Sequence, residues 1–314
     1  MWSSSTLSSS KSLLRQQYCR RWPVRFHATL LHSESIGTPS SSTSSSILFL
    51  HGLLGNGRNL KTFAKQVCQL QNTQGHLLDL RGHGKSRISP ETKSSGNHSF
   101  EACVQDIAYT NDAKFAEQPG AHPQTLVGHS WGGRMALQYA ATYAETTIDS
   151  SSSSLKRIWL LDTVPGQAHS SVENVIDAVH QLQQSSVPPK DRQGLVETLT
   201  KDYGMDMSIA QWLASSFRNG DFGFDLEVVQ DIMPEFETQD FYGLLQSLLD
   251  KKTVRVDLVR GGQNKGWDIQ TLSKLESLGK TYPGQFQLHV LPKAGHWVHV
   301  DDLPGLVDLF AKNS

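Results

Sequence analysis

The sequence contains few cysteines and no long apolar run, and each of these shortages makes one class of protein improbable: disulfide-rich proteins and transmembrane proteins. The 314 residues include three cysteines, Cys19, Cys68 and Cys103, with no C-x-x-C pair, which fits a reducing compartment. No stretch approaches the roughly 18 consecutive apolar residues that indicate a transmembrane helix, so we predict no transmembrane segment. We also expect no metal ion and no cofactor.

Acidic residues are missing from residues 1–33, although this stretch contains five basic ones, namely Lys11, Arg15, Arg20, Arg21 and Arg25. The formal net charge of the chain is −1, so the remainder, with 24 basic and 30 acidic residues, carries a charge of about −6. A body with this charge has no reason to bind nucleic acid or an anionic membrane.

Residues 1–33 are also rich in serine and lack the apolar core of a secretory signal. This composition is typical of an organellar transit peptide, and we predict that the segment is disordered. The arginines favour the mitochondrion over the plastid as the destination. A disordered tail on a cytoplasmic protein is the alternative.

Hydrophobic residues make up 37% of the full sequence, and after residue 33 apolar segments alternate with amphipathic ones. Strands are predicted at Ala28–Glu34, Ile47–Leu50, His76–Leu80, Arg157–Leu161, Val254–Val259 and Gln285–Val290. Helices are predicted at Leu60–Leu70, Phe100–Phe115, Ile269–Leu278 and Leu303–Ala311. Such alternation indicates an α/β fold with a mostly parallel sheet covered by helices on both faces.

The alternation stops between residues 165 and 252, where the sequence predicts four or five helices. We therefore divide the chain into an α/β core, residues 34–164 and 253–314, and an inserted helical cap, residues 165–252. Most apolar residues of the cap are expected to pack in its core. A few should line a substrate cleft between the cap and the sheet.

The stretch Thr125–Gly133 predicts a short strand, a tight turn that carries Ser130, and a helix that continues to Tyr143. Gly128 and Gly132 flank the serine at the two positions where a sharp strand-to-helix turn leaves no room for a Cβ atom. The pattern is that of a nucleophile elbow. The start of the helix directs backbone N–H groups towards an anion that forms beside Ser130.

Two further segments supply partners for this serine. The turn His51–Gly55 follows a strand, and the backbone N–H of Leu53 could bind an oxyanion together with that of Trp131. His296 follows the last predicted strand, where the general base is expected. His299 is a rival for this role but more resembles a structural side chain, and His129 is expected to pack or hydrogen-bond below the turn.

The acid is harder to assign, because Asn264 stands where a carboxylate usually follows the next-to-last strand. Asp162 ends the strand Arg157–Leu161, and an aspartate at the carboxyl end of a strand faces the rim of the site. We favour Asp162 over Asp225, Glu227 and Asp268, each of which reads more simply as an exposed charge or a helix cap.

Five motifs together resemble the α/β-hydrolase superfamily: His51-Gly-Leu-Leu-Gly55, Asp79-Leu-Arg-Gly-His-Gly-Lys-Ser86, Gly128-His-Ser-Trp-Gly-Gly133, Gly261-Gly-Gln-Asn264 and Gly295-His-Trp-Val-His299. More narrowly, the chain from about residue 27 is similar to the mitochondrial α/β-hydrolase domain-containing protein eleven group and to bacterial short-chain esterases. The resemblance implies an eight-stranded sheet, a helical cap, and a serine esterase or lipase without a cofactor. It also implies an acid at Asp162, with Asp225 or Glu227 as the alternative in some members.

The function predicted from these residues is hydrolysis of a small acyl ester or a lipid through an acyl-enzyme, with Ser130 as nucleophile, His296 as base and Asp162 as acid. An acyltransferase or a thioesterase would use the same residues. An epoxide hydrolase or dehalogenase would need a carboxylate in place of Ser130. A ligand-binding protein on the same scaffold is the alternative outside enzymes.

Overall fold

A computed structural model describes residues 28–37, 46–88, 98–115, 122–143, 155–166, 171–186 and 188–313. These residues form one seven-stranded sheet in the order β1-β3-β2-β4-β5-β6-β7. The strands are β1 (Ser33–Ile36), β2 (Ser46–Leu50), β3 (Gln74–Leu78), β4 (Thr125–His129), β5 (Arg157–Leu161), β6 (Arg255–Gly261) and β7 (Phe286–Leu291). Strand β1 is antiparallel to β3, and every other pairing is parallel. The predicted α/β class is confirmed, with seven strands in the described residues where the resemblance implied eight.

Eleven α-helices lie within the described part of the chain. They are α1 (Lys61–Leu70), α2 (Phe100–Phe115), α3 (Trp131–Tyr143), α4 (Ser171–Gln184), α5 (Arg192–Lys201), α6 (Met207–Ser216), α7 (Leu226–Thr238), α8 (Phe241–Lys251), α9 (Ile269–Thr281), α10 (Val298–Asp301) and α11 (Leu303–Lys312). Helices α4 to α8 all lie between β5 and β6, and we call residues 171–251 the helical segment. No helix of the described ranges is long and apolar enough to cross a bilayer.

The sheet separates two apolar layers, because successive side chains of a strand point to opposite faces. In β2, Leu48 and Leu50 join the layer beneath α2, α3 and the helical segment, whereas Ile47 and Phe49 join the layer beneath α1 and α11. The central strands are therefore apolar on both faces, which explains why their sequences are continuous hydrophobic runs rather than alternating ones.

The parallel strands also determine where the functional loops meet. The carboxyl ends of β2, β4, β5, β6 and β7 lie at the same edge of the sheet. The turn after β2, the serine after β4, the aspartate after β5 and the histidine after β7 therefore converge there, although they span residues 51 to 296 of the chain.

Residues 28–33 belong to the folded body rather than to a disordered leader. Leu31 is buried, and its backbone N–H donates to Thr110 Oγ1 at 2.9 Å. The N–H of Thr29 donates to the buried carboxylate of Asp106 at 2.6 Å. The prediction that residues 1–33 form one disordered segment does not account for these contacts, because composition does not register them. Residues 1–27 lie outside the described part of the chain.

Candidate active site

Ser130 lies on a sharp turn between β4 and α3, with a φ of 52° in the left-handed region. Two close approaches of the backbone require the flanking glycines. A Cβ atom at Gly128 would overlap the carbonyl group of Gly132, and one at Gly132 would overlap the carbonyl oxygen of Leu50. The turn therefore has the geometry of the predicted elbow.

Asp162 and His296 are brought together from loops 134 residues apart in sequence. Asp162 follows β5 with a φ of 45°, is 1% exposed, and accepts a hydrogen bond from His296 Nδ1 at 2.7 Å. The bond fixes the orientation of the imidazole ring and keeps the proton on Nδ1. Nε2 is then left as the basic nitrogen of the neutral ring.

Three further donors surround the Asp162 carboxylate. Oδ1 accepts the backbone N–H of Gly261 at 2.8 Å and the indole N–H of Trp267 at 2.9 Å. Oδ2 is shared between His296 and the side-chain amide of Asn264. The residue at the usual position of the acid therefore hydrogen-bonds to the carboxylate instead of replacing it. The role of Trp267 was not predicted, because no local sequence pattern indicates that an indole N–H donates to a carboxylate.

The three alternative acids have other contacts. Asp225 accepts the backbone N–H of Ile88 at 2.9 Å and directly precedes α7 as its N-cap residue. Asp268 caps α9 through the N–H of Thr271 at 2.8 Å. The side chain of Glu227 is exposed in the first turn of α7. Among these candidates the structure joins only Asp162 to His296.

Two buried histidines hold the turn after β2 in place. His51 Nε2 accepts the N–H of Leu80 at 2.9 Å, so Nδ1 carries the proton and donates to the Gly52 carbonyl at 2.8 Å. His83 Nε2 accepts the N–H of Leu54 at 3.1 Å. Burial lowers the pKa of His51 to about 4 and that of His83 to about 3, so both rings are neutral near pH 7.

This arrangement leaves the neighbouring N–H groups available. Within the described ranges, no hydrogen bond uses the backbone N–H of Leu53 or of Trp131. Leu53 lies between the two residues that the histidines hold, and Trp131 is the first residue of α3, where an N–H has no acceptor within the helix. Both groups therefore have no acceptor among the described residues.

His129 and His299 pack behind His296. The Nε2–H of His129 donates to the backbone carbonyl of His296 at 2.9 Å, and its ring lies 4.6 Å from that of His299. Burial holds the pKa of His129 well below its usual range. His299 is 5% exposed, and burial lowers its pKa to about 3. Neither ring therefore has the exposed, charge-supported nitrogen that a base requires.

Arg134 ties the helix of the elbow to the helical segment. Its Nη1 donates to the Phe236 carbonyl at 2.7 Å, and Nη2 donates to the Gly166 carbonyl at the same distance. The guanidinium lies 4.4 Å from the ring centre of Phe236. Burial lowers the pKa of Arg134 to about 10, so the side chain stays charged without a carboxylate partner among the described residues.

A cleft of about 970 Å³ opens above these groups. Ser130, Asp162 and His296 lie along it, as does the turn His51–Gly55. Part of its lining is apolar and comes mostly from the helical segment, and we call this part the apolar wall: Val164, Val172, Val175, Ile209, Trp212 and Phe236. Polar residues of the same segment, Asp206, Ser208, Gln211 and Ser215, also line the cleft. A cleft of this size and lining suits an organic ligand with an apolar part.

Comparison with known proteins agrees with this geometry. Residues 46–202, half of the chain, match the family model described as alpha/beta hydrolase fold. The chain is 25% identical over 281 residues to the sn-1-specific diacylglycerol lipase ABHD11 of Mus musculus, which covers 85% of this chain and 80% of the relative. It is 24% identical over 263 residues to the protein of the same name from Danio rerio, with coverage of 82% and 74%.

The solved structures give the same fold. A marine microorganism esterase superposes with a TM-score of 0.65 at 17% sequence identity, covering 90% of this chain and 98% of that one. At this identity the likeness concerns the fold alone. Because the family model spans half of the sequence and the sheet, elbow and cleft agree with it, the chain belongs to the α/β-hydrolase family.

Proposed function

We propose that the protein hydrolyses carboxylic esters by two-step acyl transfer. The observation that carries the proposal is the 2.7 Å hydrogen bond between Asp162 and His296, on a cleft that also holds Ser130 on a strained turn. A nucleophile, a base and a buried carboxylate that orients the base are the three parts that this chemistry needs.

In the first step, His296 Nε2 takes the proton of Ser130 as Oγ bonds to the carbonyl carbon of the ester. The negative charge that forms on the carbonyl oxygen is stabilised by the N–H groups of Leu53 and Trp131. The imidazolium then protonates the departing alkoxide, and the acyl group stays on Ser130. Asp162 stabilises the imidazolium without taking up its proton.

In the second step, a water molecule gives a proton to His296 and adds to the acyl carbonyl. Collapse of the intermediate returns the proton to Ser130 and releases the carboxylic acid. All atoms come from the ester and one water molecule, so no cofactor enters the cycle.

The apolar wall supports an ester whose acyl part is a hydrocarbon chain. The names of the relatives, which are lipases specific for the sn-1 position of diacylglycerol, agree with such a substrate. We therefore propose a small acyl ester or a lipid as the substrate class.

The test is covalent labelling combined with mutation. A fluorophosphonate should label the native protein on Ser130, and Ser130→Ala should lose both labelling and hydrolysis of p-nitrophenyl butyrate while keeping its thermal unfolding temperature. Ser277→Ala, which changes an exposed serine of α9, should behave as native. A native protein that is not labelled, or a Ser130→Ala variant within tenfold of native activity, would contradict the assignment.

We further propose that the segment before residue 28 directs import into mitochondria. The basic, acid-free composition of the segment supports the proposal, and the contacts of Thr29 and Leu31 with the body support an end of the segment before Thr29. A fluorescent reporter fused to residues 1–27 should accumulate in mitochondria. A diffuse cytosolic signal would show that the segment has no targeting function, and a plastid signal would show that it directs import into plastids instead.

A further inference from the structure

A second cavity of about 450 Å³ lies within the helical segment, and we call it the side cavity. Residues of α4 form one side of it, and residues 203–205, before α6, together with Ile209 of α6 form the other. Val175 of α4 and Ile209 of α6 line both the side cavity and the cleft. Only these two residues are common to the two linings in the described part of the chain.

The two spaces are therefore adjacent at Val175 and Ile209, whose side chains are both aliphatic, and we call these two residues the partition. Val175 and Ile209 have no polar side-chain atoms, so no hydrogen bond or ion pair of theirs closes the partition. A hydrocarbon chain that passes beside them would make dispersion contacts with their side chains. The partition can thus admit a methylene chain far more readily than a polar group.

The side cavity has the character that the end of such a chain requires. Its inner surface includes Ala178 and Met205, which extend the apolar surface of Val175 and Ile209. Its outer margin carries Asn174, Asp177 and Gln181, whose side chains are exposed. A chain lying along the inner surface would be shielded from water on one side, and the polar margin would remain hydrated.

We propose that the side cavity is a subsite for the distal part of a long acyl chain, reached from the cleft between Val175 and Ile209. The inference rests on the proposed function, because the carbonyl end of the chain is placed at Ser130. It makes Val175 and Ile209 specificity-determining residues. Each further methylene buried there should raise kcat/KM by about fourfold.

Gln181→Trp tests the subsite by filling the side cavity from its exposed margin, without changing a residue of the cleft. Gln183→Trp is the matched control, since it places the same side chain at an exposed position of α4 that lines neither cavity. Gln181→Trp should lower kcat/KM for p-nitrophenyl palmitate at least tenfold and leave the value for the butyrate within twofold. The control should change neither value.

Ile209→Ala removes part of the partition and should raise the palmitate-to-butyrate ratio of kcat/KM. Equal effects of Gln181→Trp on both esters, or no effect on either, would overturn the subsite. Binding gives a readout that does not depend on catalysis. In the Ser130→Ala protein, Gln181→Trp should weaken the calorimetric affinity for palmitate at least tenfold, whereas Gln183→Trp should not. An unchanged affinity refutes the subsite, and absence of hydrolysis by the native protein at every chain length refutes the ester hydrolase instead.

Discussion

Asp162→Asn is the substitution that probes the candidate site most sharply, because it replaces one oxygen by an NH₂ group of similar size. Oδ1 accepts N–H groups from Gly261 and Trp267, so the amide oxygen of the variant should occupy that side. The new NH₂ group then faces His296 Nδ1 and the amide of Asn264, which are both donors in the native protein. Two donors cannot bond to one another.

The conflict with His296 is relieved when the imidazole proton moves from Nδ1 to Nε2. Nδ1 then accepts from the new amide, but Nε2 can no longer take the proton of Ser130. The imidazolium that forms in the transition state also loses its neighbouring carboxylate. Together these effects should lower kcat by about 10³ to 10⁴, which corresponds to roughly 4 to 5.5 kcal/mol of transition-state stabilisation.

The assay is kcat for p-nitrophenyl butyrate, with thermal unfolding measured on the same preparation. Asp225→Asn is the control, because the Asp225 carboxylate bonds to the N–H of Ile88 and not to His296. Its kcat should stay within about threefold of native. A folded Asp162→Asn protein within tenfold of native kcat would refute the reasoning. A crippling effect of Asp225→Asn or Glu227→Gln would move the acid to the helical segment.

Three other perturbations test the surroundings of the site. Gly132→Ala should destabilise the fold by several kcal/mol and abolish labelling of Ser130, because the added Cβ would overlap the Leu50 carbonyl. Gly279→Ala, in an open part of α9, is the control and should be neutral or stabilise the protein by about 0.5–1 kcal/mol in urea unfolding. Equal effects of the two substitutions would contradict the close approach at Gly132. Arg134→Met leaves the carbonyl groups of Phe236 and Gly166 without a donor and should reduce the unfolding free energy by roughly 3 kcal/mol. An unchanged melting temperature would argue against a stabilising role of these two hydrogen bonds. His51 is neutral in the folded state with a pKa of about 4, below its ordinary 6.5, so the unfolded chain binds the extra proton and stability falls as the pH drops from 6.5 towards 4. The stability advantage of native protein over His51→Gln should therefore shrink by about 1.6 kcal/mol between pH 6.5 and 5, and a constant difference would show that the ring is not buried as a neutral group.

Much of the fold was predictable because its strands are short apolar runs between turn residues. Buried parallel strands are apolar on both faces, and this leaves a strong local signal in Arg157–Leu161, where prediction and structure coincide. Strand β3 shows the limit of the method. It was predicted at His76–Leu80 and lies at Gln74–Leu78, since Leu80 is buried in the loop that follows rather than in the ladder.

The residues of the candidate site were predictable to different degrees for a physical reason. Ser130 lies in a motif whose glycines are required because the sharp turn leaves no space for Cβ atoms. Its neighbours in sequence therefore identify it. Trp267 acts on a carboxylate 105 residues away, and nothing beside it in sequence reveals the partner. The roles of the two histidines that hold the turn after β2 are also not revealed by the residues next to them in sequence. His51 and His83 act through backbone N–H groups of distant residues.

The place of the proposed acid, Asp162, follows from the topology of the sheet. Strands β5 and β6 are adjacent and parallel, with Leu161 opposite Val259, so the chain leaves both strands at neighbouring points of one edge. Asp162 directly follows Leu161, and Asn264 lies three residues beyond the end of β6. Both side chains can therefore reach the imidazole that arrives from the loop after β7, and here they are hydrogen-bonded to each other. Carboxylates at both positions would repel at this distance, whereas one carboxylate and one amide satisfy each other. A single acid on either strand end is compatible with the fold, and the side-chain amide of Asn264 donates a hydrogen bond to the carboxylate of Asp162.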